Sequence, residues 1–279
     1  VVVQTARPLL TRRSLAQLTR CRCVVRAGAG YDSVDVTAAT ERGILVCNTP
    51  TYCTDEVADH AIALLLACLR HVPRLDRGLR RGDHTMTIID HTRRLAGSTL
   101  GIIGLGRIGS RVVQRLRGWD LRVLAYDPYL TDDQVRDAGA ERVSLPELLR
   151  TSDMISIHCP LTEETRHMIG RRELALLKPT AILVNDARGA VIDEQALAEA
   201  LREERLWAAG LDVFETEPLP TDSPLLALEN VIVTPHAAAY SPQSRADLYA
   251  LVCEIASDVC QGRVPRFVVN AASLAARQG

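Results

Sequence analysis

The chain has 279 residues, 47% hydrophobic but only 4% aromatic, and its 33 basic and 34 acidic side chains leave a net charge of −1. That length suffices for two domains, with cores packed from Leu, Val, Ile and Ala. The balanced charge argues against nucleic acid or an anionic membrane as the primary partner, and no apolar run reaches the roughly 18 residues that cross a bilayer.

The eight cysteines are scattered without C-x-x-C spacing, and the seven histidines show no H-x-x-x-H or H-E-x-x-H pattern. The reading is reduced thiols, mostly core filler, in a cytoplasmic protein, and no metal site. The chain opens on Val1-Val2-Val3-Gln4, with neither Met nor the order of a signal peptide, so native sequence is expected upstream.

Val1 to Val3 reads as a strand, Ser14 to Leu18 as a short helix, and Cys23 to Val25 as a second strand. That strand runs into Arg26-Ala27-Gly28-Ala29-Gly30-Tyr31-Asp32. A Gly-x-Gly loop after a strand can hold a carboxylate on its N–H groups, or it can be an ordinary turn. Val36 to Arg42 reads as a helix capped by Gly43, and Ile44 to Asn48 as a strand. Thr54 is placed to N-cap a buried helix, Asp55 to Leu69, whose His60 reads as a satisfied core histidine. Residues 72–94 are polar and mixed in charge, which suggests an extended surface arm.

The most informative stretch follows. Thr99 to Ile103 is an apolar strand, Gly104, Gly106 and Gly109 fit G-x-G-x-x-G, and Ser110 to Trp119 is predicted as a helix. In a dinucleotide site the first glycine makes the turn, the second admits the pyrophosphate and the third lets helix and strand pack. The helix start adds N–H groups and its dipole. A further strand, Leu121 to Tyr126, ends at Asp127, 18 positions past Gly109, a spacing that suits a carboxylate on the adenosine ribose. Asp127 would repel a 2′-phosphate, so NAD is favoured over NADP.

Helices are then expected at Asp132 to Gly139, Pro146 to Thr151, Glu173 to Leu177 and Asp193 to Glu204. Strands are expected at Val143, Met154 to His158, Ala181 to Asn185, Ala208 to Val213 and Val231 to Thr234. Ser244 to Gln261 is a long terminal helix. Strand–helix alternation throughout means parallel sheets wrapped by helices.

Three of those strands end in ionisable residues: Asn185-Asp186-Ala187-Arg188-Gly189, Asp212-Val213-Phe214-Glu215-Thr216-Glu217-Pro218 and Thr234-Pro235-His236. A guanidinium can clamp a carboxylate and polarise the neighbouring carbonyl. A histidine backed by an acid can exchange the hydroxyl proton. The set suits hydride transfer between carbonyl and alcohol, and the residues alone leave Glu215 and Glu217 both open as the acid.

With these motifs in this order, the chain resembles the D-isomer-specific 2-hydroxyacid dehydrogenases over essentially its whole length. Within them it resembles the C-terminal-binding-protein-like and phosphoglycerate-dehydrogenase-like branch through Tyr126-Asp127-Pro128-Tyr129, Pro235 to Ser241 and Gly262-Arg263-Val264-Pro265. The resemblance implies Arg188 on the substrate carboxylate, His236 as general acid/base and Glu217 as its partner. It implies the N–H groups of Ala29 and Gly30 at the carboxylate, where the loop itself sets Arg26 alongside, and Asp212 on the nicotinamide carboxamide. Arg107 and Ile108 would meet the pyrophosphate, His158 to Pro160 would flank the adenosine, and Ala187 joins the cofactor-binding set.

The chain departs from the family at Asp186, where members often carry a small residue, and at Ala239, where the C-terminal-binding-protein branch typically has Trp. The implied fold is α/β: two Rossmann-like, doubly wound parallel-sheet domains, with an NAD-binding domain (96–240) inserted into a flavodoxin-like substrate domain (1–95 and 241–279). The active site is expected in the cleft. The implied reaction is NAD(H)-dependent interconversion of a 2-oxo acid and a D-2-hydroxy acid, in a cytoplasmic homodimer. The alternatives are a dinucleotide-sensing scaffold with little turnover and a same-fold enzyme for a phosphonate- or phosphite-type substrate.

Overall fold

A computed structural model describes residues 1–5, 7–84 and 92–275. In chain order the elements are β1 (Val2–Gln4), α1 (Arg12–Gln17), β2 (Cys23–Arg26), α2 (Val36–Glu41), β3 (Leu45–Cys47), α3 (Thr54–Leu69) and α4 (Val72–Arg80). Then come β4 (Thr99–Ile103), α5 (Arg107–Arg115), β5 (Arg122–Tyr126), α6 (Asp132–Asp137), β6 (Glu141–Arg142), α7 (Leu145–Thr151) and β7 (Met154–Ile157). The chain ends with α8 (Arg171–Leu174), β8 (Ile182–Asn185), α9 (Glu194–Arg202), β9 (Ala208–Leu211), β10 (Val231–Val233), α10 (Pro242–Cys260) and α11 (Ala271–Ala275).

The chain divides into two compact units, Val1–Thr54 with Ala239–Gly279, and Asp55–Ala238. The second begins well before the expected residue 96. The reason is α3: its Ala58, Ala61, Leu64, Leu65 and Cys68 share one apolar cluster with Leu100, Ile102 and Val184 of the larger sheet. A helix that buries this much apolar surface belongs with the core it covers.

In the first unit, β1, β2 and β3 form a parallel sheet in that order. Leu251, Val252 and Ile255 of α10 pack on Cys23, Val25 and Cys47. The chain then returns to β3: the Val269 N–H donates to the Val46 carbonyl at 2.7 Å. The buried Asn270 amide accepts from the Val46 N–H and donates to the Ile44 carbonyl and Thr40 Oγ1.

The second unit is built on seven parallel strands in the order β10-β9-β8-β7-β4-β5-β6. Successive residues feed opposite faces, Leu100, Ile102, Met154 and Val184 to one cluster and Ile103, Ile155, Ile157 and Leu183 to the other. Burial on both faces explains why these strands read as continuous apolar runs. The strand order reverses between β4 and β7, and at such a point the carboxyl ends leave a crevice for ligands.

Two expectations are corrected locally. The helix predicted from Ser110 starts at Arg107, because Gly106 is its extended N-cap. The polar arm over 72–94 begins as the helix α4. Its polarity is carried by ion pairs: Asp76 with Arg80 one turn on, and Arg74 and Arg81 with Glu229. Residues 85–91 of that arm lie outside the described residues.

Candidate active site

The glycine turn is crowded where the fold needs it and open where a ligand would approach. Gly104 has φ +88°, and a Cβ there would stand 2.7 Å from the Cys159 nitrogen. A Cβ on Gly109 would stand 2.2 Å from the Gly104 carbonyl oxygen, whereas Gly106 is exposed and a Cβ there would meet nothing within 4 Å. Asp127 closes the turn from β5: its Oδ2 accepts the Leu105 N–H at 3.0 Å and its Oδ1 the Tyr129 N–H at 3.0 Å. Bare backbone at Gly106, the first N–H groups of α5 at Arg107 and Ile108, and a fixed carboxylate at the end of β5 are the parts a dinucleotide requires. The residues present fit such a cofactor.

Beside it, the turn after β8 is held by the buried Asn185. Its Oδ1 accepts the Ala187 N–H at 3.1 Å and its Nδ2 donates to the Arg188 carbonyl at 2.9 Å. Arg188 is half-buried, and its Nη1 donates to the Ala187 carbonyl at 2.7 Å. A Cβ on the next residue, Gly189, would fall 1.9 Å from the Phe214 carbonyl carbon. Glycine therefore lets the Arg188 turn lie directly on the segment after β9.

That segment carries Glu217, whose Oε1 accepts the Phe214 N–H at 3.1 Å and whose Oε2 stands 2.8 Å from His236 Nδ1. Partial burial works to raise the Glu217 carboxyl. The His236 hydrogen bond and charge, the Phe214 N–H and the positive Arg188 outweigh it and hold the group below the usual carboxylate range. His236 has φ +55°, a conformation an L-residue keeps only where its surroundings impose it. Here the Asp212 carbonyl accepts the His236 N–H at 2.8 Å. The fully buried Asp212 carboxylate takes the Thr234 hydroxyl at 2.5 Å and the Ala237 and Ala238 N–H groups at 2.8 and 2.9 Å. His60 adds its Nε2 at 3.1 Å from Thr234 Oγ1 and 3.6 Å from Asp212 Oδ1, so this histidine has partners but is a quarter exposed.

Glu215 goes elsewhere. Its Oε1 accepts the Glu194 N–H at 3.0 Å and lies 3.0 Å from His167 Nε2. Of the two acids left open by the residues alone, only Glu217 touches His236.

His158 departs from its implied place. Its side chain is 1% exposed, with Nε2 2.9 Å from Ser156 Oγ and Nδ1 3.2 Å from the equally buried Asp186. It points into the protein, so its backbone and the exposed Pro160 are what remain at the surface. In the first unit, the Gly28 N–H donates to Thr49 Oγ1 at 2.7 Å and Asn48 Nδ2 donates to the Ala29 carbonyl at 2.6 Å. Arg26 donates to the Ala27 carbonyl, and Ala29 and Gly30 are half-buried. Sequence reasoning missed Thr234 and Asn185 as holders of these turns. Asn185 sits at a strand end flanking Arg188, and that position was the available signal.

Comparison with known proteins gives a consistent set of likenesses. Residues 62–238 match the family described as D-isomer specific 2-hydroxyacid dehydrogenase, NAD binding domain. The chain is 46% identical over 256 residues to a glyoxylate reductase of Korarchaeum cryptofilum, covering 90% of this chain and 76% of that protein. It is 42% identical over 275 residues to a D-3-phosphoglycerate dehydrogenase of Methanocaldococcus jannaschii, covering 97% of this chain and 51% of the relative, so it spans about half that protein's length. Among solved structures, the D-lactate dehydrogenase of Aquifex aeolicus complexed with NAD and lactic acid superposes with a TM-score of 0.86 at 33% identity. That match covers 93% of this chain and 82% of the other.

Proposed function

The chain belongs to the D-isomer-specific 2-hydroxyacid dehydrogenase family, and from this premise we propose that it interconverts a small 2-oxo acid and the corresponding D-2-hydroxy acid. NAD(H), when bound, accepts or supplies the hydride. Gly106, Arg107 and Ile108 hold its pyrophosphate and Asp127 its adenosine ribose. Ala187, Asp212 and the surface of 158–160 line the rest of the cofactor. Arg188 binds the substrate carboxylate and draws electron density from the neighbouring carbonyl. His236 gives the proton to the carbonyl oxygen in reduction and takes it back in oxidation. Glu217 fixes the imidazole through Nδ1 and leaves Nε2 for that exchange. Arg26, with the N–H groups of Ala29 and Gly30, supplies further anion-binding capacity in the first unit.

The observation that carries the reading is the 2.8 Å contact between His236 Nδ1 and Glu217, with Arg188 close enough to lower the same carboxyl. A complete acid–base couple beside a guanidinium favours turnover over a sensing scaffold. Glyoxylate and the oxidised form of D-3-phosphoglycerate, the substrates after which similar proteins are named, are first among the candidate 2-oxo acids. The reading carries with it a cytoplasmic homodimer.

The test is NADH consumption against a panel of 2-oxo acids. His236→Ala is expected to lower kcat on the order of 10²-fold or more while NADH affinity stays within about twofold. Retained activity in that variant would remove His236 as the acid, and no turnover on any 2-oxo acid would overturn the reading.

A further inference from the structure

Asp186, where the sequence departs from the resemblance, lies buried just beyond the end of β8. The carboxylate is fully buried and neither oxygen has a hydrogen bond among the described residues. Its titratable neighbour is His158, whose Nδ1 lies 3.2 Å from Oδ1. A buried carboxyl group with so little around it is costly unless a partner compensates it.

The partner is firmly rooted. His158 Nε2 lies 2.9 Å from Ser156 Oγ on β7, and the His158 N–H donates to the Ile103 carbonyl of β4 at 2.7 Å. Ile157 and Asn185 are register partners on β7 and β8, so His158 and Asp186 are the next residues out on adjacent strands, at the carboxyl edge of the sheet. Asp186 also lies between two tethered positions: Asn185 holds the Ala187 N–H and the Arg188 carbonyl from its own side chain. The Arg188 turn is thus gripped by Asn185 on one side and by Asp186, through His158, on the other.

We propose that Asp186 and His158 form a buried couple that positions Arg188 for the substrate carboxylate. Neither residue touches substrate; both act by fixing the turn from which the guanidinium projects. The proposal rests on the reading of Arg188 as the carboxylate clamp. It also accounts for the departure at position 186: the acid is matched by a histidine that can face it across the strand pair.

The experiment compares the unsubstituted enzyme with Asp186→Ala, Asp186→Asn, His158→Gln and the Asp186→Ala/His158→Gln double variant. Four quantities are read: KM for the 2-oxo acid, kcat, NADH affinity by fluorescence, and Tm. Asp186→Ala is expected to raise KM about tenfold with NADH affinity within about twofold, as follows when a clamp is displaced and the cofactor site is intact. Asp186→Asn, which keeps the volume and an oxygen towards His158, is expected to recover KM to within about threefold. The double variant is expected to be no worse than Asp186→Ala alone, because the two residues act as one unit. An unchanged KM with lowered Tm would reduce the couple to a packing feature and overturn the proposal. Additive effects of the two single changes, or an equal loss of NADH affinity, would overturn it too. If the unsubstituted enzyme turns over and Arg188→Ala abolishes that turnover while Asp186→Ala is silent, only this inference falls. If the unsubstituted enzyme is inactive, the functional reading falls with it.

Discussion

Two parts of the larger unit are held in contrasting ways. The glycine turn of residues 104–109 is fixed mainly by backbone against backbone, with Cys159 on Gly104 and the Gly104 carbonyl on Gly109, and Asp127 adds one side-chain bond to the Leu105 N–H. The turns that carry Arg188 and His236 are fixed by side chains: the Asn185 amide grips one and the Asp212 carboxylate the other. A turn built mainly on backbone packing tolerates little substitution at its crowded glycines, Gly104 and Gly109. Turns held by amide and carboxylate side chains can be loosened one bond at a time, so damage there should appear in turnover before it appears in folding.

The sharpest way to break this contrast is within the glycine turn itself. Gly104→Ala combines a positive φ, about 1–3 kcal/mol for an L-residue, with a clash against backbone that cannot swing aside, a further 1–3 kcal/mol. Gly106→Ala meets nothing within 4 Å. The expectation is a large fall in denaturant midpoint for Gly104→Ala. For Gly106→Ala it is a near-native midpoint with NADH affinity reduced about tenfold or more, since the new methyl occupies the phosphate approach. Equal midpoints for the two variants would mean that the turn relaxes and that backbone packing does not fix it.

A smaller effect is expected on the side-chain-held turn. Asp212→Asn leaves a single acceptor oxygen where three donors now converge, and turns an amide N–H₂ towards backbone N–H groups. Losing hydrogen bonds to a charged acceptor costs about 1.5–3 kcal/mol. The His236 turn should loosen, with kcat falling about tenfold to a hundredfold. Stopped-flow single turnovers would place the loss in the chemical step. A normal burst with slow product release would place it elsewhere.

The same contrast explains what could be read from the sequence. The glycine turn was legible because its steric demands repeat at fixed spacing and an acid follows at the end of the next strand. Buried parallel strands were legible as apolar runs, and the choice of Glu217 came from its place before Pro218 in the family pattern. The helix α4 was not legible, because the Glu229 that pairs with Arg74 and Arg81 is far away in sequence. Thr234 and the turning-in of His158 were hidden for a related reason. The Thr234–Asp212 and His158–Asp186 contacts depend on which strand ends become neighbours, a property of the sheet that no local spacing encodes, whereas Asn185 acts within its own turn and its place beside Arg188 was the one local signal. Asp186 was visible as a departure, but its partner became visible only once β7 and β8 were paired.

The smallest expected effect is the response of the side-chain-held region to acid, and Glu217 provides it. Its carboxyl is held below the usual range because the lowering contributions of His236, the Phe214 N–H and Arg188 exceed the raising effect of burial. A carboxyl lowered by folding contributes stability that is fully present above its unfolded value, about 4.3, and that is lost as pH falls through the folded value. Glu217→Gln cannot titrate at this position and has no charge at any pH. The gap in unfolding free energy between the two proteins should therefore be present at about pH 5 and close below about pH 4. Glu217 is a third exposed, so solvent screening keeps this gap to no more than about 1 kcal/mol. Denaturant titrations across that range would detect it. A gap that instead widened towards low pH would mean that the carboxyl is raised by its burial, and that His236 is not its dominant partner.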